Sequence, residues 1–116
     1  MRLSRAKKYY LSGPMTGLPD YNYPAFNRIA KLLRSKGFKI ENPAENPEQE
    51  SWEEYMDVAI AQLKTCNSII MLQGWENSKG ANIELETARK LGMLIICESD
   101  LYTHNVIGRI ATDLEI

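Results

Sequence analysis

The sequence predicts an α/β fold: a three-layer α/β/α sandwich around a flavodoxin- or Rossmann-like parallel sheet of four to five strands, ordered 2-1-3-4(-5). Three observations carry this. Four short apolar runs, "YYLS" (9–12), "FKIE" (38–41), "SIIML" (68–72) and "MLIIC" (93–97), are each bounded by turn chemistry. Helical stretches separate them, giving βαβαβαβα, which requires parallel strands joined by right-handed crossovers. The third and fourth runs are apolar at nearly every position and rich in isoleucine, as in central strands covered on both faces. At 116 residues without a Gly/Ser linker or repeat, residues 1–116 read as one domain.

The first run, "YYLS", alternates Tyr9 and Tyr10 across the two faces of a strand. The first helix runs from about Tyr23 to Lys36. Pro24 suits its opening, Phe26, Ile29, Ala30 and Leu33 recur at helical spacing, and Gly37 stops it. After the second run, "ENPAENPEQES" (41–51) carries two prolines and reads as a loop. Ser51 with Glu54 then gives a capping-box signature for a helix to about Thr65. A third helix runs from about Gly80 to Leu91, with Gly92 as its stop. A short fifth strand after Cys97 and a weaker helix over Asn105 to Leu114 complete the expectation.

A net charge of −1 with 25% charged residues contains no polybasic signal, so neither nucleic acid nor an anionic membrane is expected as a partner. No apolar run approaches the ~20 residues that span a bilayer, and no signal-peptide core follows "MRLSRAKK". A cytoplasmic protein is the expectation. Cys66 and Cys97 lie in or beside apolar stretches and read as buried free thiols. No HxxxH, CxxC or acidic cluster suggests a metal, no cofactor is expected, and the single histidine, His104, gives no support to a His-based triad.

The strand order itself places a site. With order 2-1-3-4 the topology reverses between the first and third strands, and ligands bind beyond their carboxyl ends. Those ends run into "SGPMTG" (12–17) and "QGWENSKG" (73–80), where glycine permits close backbone approach and a helix N-terminus near Gly80 offers N–H groups to an anion. Neither loop is a Walker or GxGxxG sequence. Glu84 shares a helical row with Ala88 and Leu91, the row directed at the sheet, whereas Glu86 lies opposite as a solvated pair with Lys90. A carboxylate on the inward row, one turn into a helix that starts at the cleft, either has chemical work or favours the helix dipole. Trp75 either stacks on a ligand ring or lids the core. Tyr10 is either core or a cleft contact.

Taken together, "YYLSGPMTG", "NPAE", "CNSIIML" and "GWENSKGANIELETARKLG" resemble the nucleoside 2-deoxyribosyltransferase-like superfamily. The opening "SGPMTGLPDYNYPAFN" is similar to a phage and prophage branch of uncharacterised function, related to deoxynucleoside 5′-monophosphate N-glycosidases. The resemblance spans about Tyr9 to Gly92. It implies N-glycosidic bond cleavage or base transfer, a small-molecule nucleoside or nucleotide as partner, and a homo-oligomer. It also implies Glu84 as the nucleophile that attacks the anomeric carbon, framed by Gly80 and Ala88, with Tyr10 orienting it. Gly13, Pro14 and Met15 of the first loop then bind substrate with Trp75, Ser78 and Gly80. Ser78 stands where transferases of free nucleosides tend to have aspartate and monophosphate hydrolases serine, which tilts the substrate toward a 5′-monophosphate.

One departure bears on turnover. The superfamily usually has an aspartate on the second helix where this chain has Ala59, and Asp57 is about half a helical turn away. Asn67 also replaces a common aspartate, read as a structural change. Two functions therefore stand side by side: an N-glycosidase or transferase, and a nucleotide-binding or sequestering module without turnover.

Overall fold

The computed structural model describes residues 3–107. Strands β1 (Lys8–Ser12), β2 (Lys39–Glu41), β3 (Ser68–Met71) and β4 (Leu94–Cys97) alternate with helices α1 (Tyr23–Ser35), α2 (Trp52–Leu63), α3 (Lys79–Lys90) and α4 (Glu98–Thr103). All pairings are parallel and the order is β2-β1-β3-β4, as the sequence predicts.

Alternation along β1 divides the core. Tyr9 and Leu11 face one side, packed with Phe26, Ile29 and Leu33 of α1 and Leu101 of α4. Tyr10 faces the other, where Ile69 and Met71 of β3 meet Ala59 and Leu63 of α2 and Ala81, Leu85 and Ala88 of α3. These two clusters make the three layers. Asn67 Oδ1 accepts a 2.8 Å bond from the Lys8 amide, holding the start of β1 to that of β3.

Several expectations need correction. β4 is an edge strand: Leu94 is 53% and Ile95 36% exposed, so its continuous apolar run does not mean burial on both faces. Leu91 is 52% exposed, because α3 ends at Lys90 and the chain turns before the next inward position. No fifth strand follows Cys97 among the described residues; α4 begins directly at Glu98. The weaker helix expected over Asn105 to Leu114 lies largely outside the described residues. The 41–51 segment is not wholly loop, since Glu41 closes β2 and Pro43–Glu45 forms a 3-10 turn. Both cysteines are free thiols but only partly buried. Glu86 and Lys90 are exposed as expected, without forming an ion pair among the described residues. No helix among the described residues is long and apolar enough to cross a membrane.

Candidate functional site

An open cleft of about 650 Å³ lies beyond the carboxyl ends of β1 and β3, lined by the loops that follow them and by the starts of α2 and α3. Its corner is set by backbone approach. A Cβ on Gly13 would sit 2.8 Å from Leu72 Cβ, closer than side-chain carbons pack, so the β1 loop reaches β3 only as glycine. Gly74 turns the β3 loop back at φ +90°, a conformation side-chain-bearing residues rarely adopt. The Leu72 amide donates to Ser12 O at 2.7 Å, tying the two strand ends together.

Glu84 forms part of the cleft floor and is only 6% exposed. Its carboxylate is held by two hydroxyls: the Tyr10 hydroxyl donates to Oε2, and Ser12 Oγ donates to Oε1 at 2.7 Å. No cation lies within ion-pair distance among the described residues. Burial pushes its pKa up to about 7, against the opposing pull of the Tyr10 and Ser12 hydrogen bonds. The Tyr10 hydroxyl is itself driven well above its ordinary value by burial and by the adjacent Glu84. The result is a carboxylate poised to titrate near neutrality, fixed by donors and open to the cleft on its remaining side. Such a group suits nucleophilic or general acid–base chemistry.

The structure brings together Glu84, Tyr10, Gly13, Pro14, Met15, Ser78 and Gly80 around this cleft. Ser78 caps α3, accepting from the Ala81 amide at 3.1 Å. Ser78 lines the same opening, beside the first-turn amides of Lys79 and Gly80, which have no intrahelical carbonyl to bond. Trp75 is the exception. It is absent from this lining; it packs half-buried against the core cluster that holds Tyr10 and lines a second hollow with Cys97, Glu98 and Tyr102.

Sequence reasoning missed three contributors. Ser12 lies two residues after Tyr10 on β1, so strand alternation placed it on the same face, but a serine closing a strand reads as turn chemistry. Trp52, at the start of α2, supplies the aromatic wall assigned to Trp75. Tyr55, one turn further, reaches the cleft with its hydroxyl 3.1 Å from Met15 Sδ and 3.4 Å from Pro43 O; burial first, then Glu84, raises its pKa. Asp20, Tyr21 and Asn22 also form a left-handed turn at the cleft mouth, anchored where Asn22 Nδ2 donates to Pro14 O at 2.9 Å. Ala59 is fully buried in the α2–α3 cluster and does not line the cleft, so α2 presents Trp52, Tyr55 and Met56 there instead.

A family model described as "Domain of unknown function (DUF4406)" matches residues 7–97. No curated protein matches the chain. Among solved structures, a 2-deoxyribosyltransferase from Leishmania mexicana superposes with a TM-score of 0.64 at 24% identity, over 78% of this chain and 63% of that one. A 2-deoxyribosyltransferase from the psychrotolerant bacterium Bacillus psychrosaccharolyticus gives 0.63 at 22% identity, over 78% and 70%. The chain thus shares the fold of these proteins while spanning under two thirds of the Leishmania structure.

Proposed function

The chain belongs to the family described as Domain of unknown function (DUF4406), and from the site of this member we propose N-glycosidic bond cleavage or base transfer on a nucleoside or deoxynucleoside 5′-monophosphate, with Glu84 as nucleophile. The observation that carries the proposal is a buried carboxylate at the cleft floor, held by the Tyr10 and Ser12 hydroxyls, with no cation at ion-pair distance among the described residues. A carboxylate neutralised by arginine or lysine would be spent on structure; this one is aimed and unspent.

The chemistry balances with these groups. Ionised Glu84 places an oxygen on the anomeric carbon as the bond to the base breaks, and the bonding pair leaves with the base, which takes up a proton. The transition state has oxocarbenium character, which an adjacent carboxylate stabilises and then traps as a glycosyl ester. Water attacking the same carbon releases sugar phosphate and returns ionised Glu84, losing to solvent the proton that balances the one the base took up; a second base attacking in its place loses its N–H proton and completes transfer instead. Tyr10 and Ser12 keep the carboxylate oriented and favour its charged form. The serine cap and free first-turn amides of α3 favour a phosphate there. The folds of the two deoxyribosyltransferases support the same reading.

Base release from each deoxynucleoside 5′-monophosphate, followed chromatographically, tests it. Glu84→Gln should lower release by several orders of magnitude, whereas Glu86→Gln should stay near wild type because Glu86 is exposed away from the cleft. Equal rates for wild type and Glu84→Gln would remove the nucleophile assignment. The second reading, binding without turnover, is motivated by Ala59, which stands where the superfamily usually has an aspartate and is buried away from the cleft. Tight binding with no base released at any pH would select it.

A further inference from the structure

Lys79 is the one cation, and Glu84 the one carboxylate, among the described residues that line the cleft. The Lys79 ammonium pairs with no carboxylate among the described residues. Instead Nζ sits 4.6 Å from the centroid of the Trp52 ring, within the range of a cation–π contact. Trp52 and Lys79 are the first residues of α2 and α3. Gly80 lets these two helix starts approach: a Cβ there would meet Met56 Sδ at 3.1 Å and Trp52 Cζ2 at 4.0 Å.

We propose that Lys79, held on the face of Trp52, is the specificity-determining residue by which the cleft separates phosphorylated from unphosphorylated nucleosides. The inference rests on the monophosphate reading above and adds the group that decides it. Ser78 and the α3 amides offer an anion only dipoles, whereas a phosphate monoester near pH 7 has close to two negative charges. Lys79 supplies the full opposite charge, stationed one residue from the Ser78 cap. A free lysine surrenders many rotamers when it docks on a ligand. Resting on Trp52 confines the ammonium near the start of α3 in advance, so less freedom is lost when it moves from ring to phosphate. The same positive charge offsets the repulsion between the incoming phosphate and Glu84.

Calorimetric titration of the full chain tests this, in a Glu84→Gln background that stops turnover, with the four common deoxynucleoside 5′-monophosphates and their unphosphorylated nucleosides as probes. The parent should bind its preferred monophosphate more tightly than the matching nucleoside. Lys79→Ala should weaken the monophosphate about ten-fold, the scale of a lost charge-assisted hydrogen bond, and leave the nucleoside unchanged. Lys79→Arg should retain most of the preference. Trp52→Leu should lower it in the same direction, and a double-mutant cycle should show the two losses to be less than additive; thermal unfolding confirms that each variant is folded. Undiminished preference in Lys79→Ala, or strict additivity with Trp52→Leu, overturns the Lys79–Trp52 assignment while leaving the monophosphate reading intact. A parent protein that binds nucleoside and monophosphate equally overturns both.

Discussion

Glu84→Gln should make the folded protein more stable, and only at higher pH. The Glu84 pKa rises from an ordinary 4.5 to about 7 because burial penalises its charge. Between these values the folded chain keeps a proton that the unfolded chain has released, so raising the pH through this window lowers stability. Below it both states are protonated and the cost is absent; above it both are ionised and the cost is complete, about 3 kcal/mol. Glutamine has the shape of the protonated acid, with its carbonyl accepting from one of the Tyr10 and Ser12 hydroxyls and its amide donating to the other. The variant and wild type should therefore unfold at similar urea concentrations at pH 4, below both values. At pH 8 the variant should be more stable by about 3 kcal/mol. Because every other titrating group is shared, the difference isolates Glu84. An equal stability difference at both pH values, or a wild type more stable than the variant at pH 8, would refute the account of Glu84 as a buried carboxylate kept at a stability cost.

Other outcomes follow from the same geometry. The rate of base release should climb through pH about 7 as Glu84 ionises, and Tyr10→Phe, which deletes a donor to the carboxylate, should move that climb to higher pH; an unmoved profile would mean Tyr10 does not tune Glu84. Gly13→Ala should cost about 1–3 kcal/mol in urea denaturation, because its Cβ would meet Leu72 Cβ at 2.8 Å and neither atom can rotate away; wild-type stability would contradict that contact. Trp75→Phe should leave nucleotide affinity and base release near wild type, since the ring lines the far hollow, and a ten-fold loss in either would return Trp75 to the site.

Local periodicity and punctuation determined the elements. Pro24, Gly37, Ser51 and Gly92 mark helix ends because the backbone conformations and hydrogen bonds at those ends depend on these residues alone, and four apolar runs with helical spacers leave little choice but a parallel sheet. That topology, together with the inward row of α3, puts Glu84 and one of two tyrosines at the cleft side, with the helix dipole and the core as their other readings; the resemblance is what gives them roles. Tertiary structure alone decided what depends on distant segments meeting. Strand β4 has the same apolar run as β3, yet exposes Leu94 and Ile95, because coverage depends on what lies beside a strand, not on its composition. Trp52 and Trp75 each follow a turn near the cleft in sequence. Only the assembled structure shows that Trp52 lines the cleft while Trp75 packs against the core and lines the second hollow. The Glu84 carboxylate meets hydroxyls 74 and 72 residues away, and the desolvation that moves its pKa is a property of the assembled core, since burial is summed over every layer and belongs to no single stretch of chain.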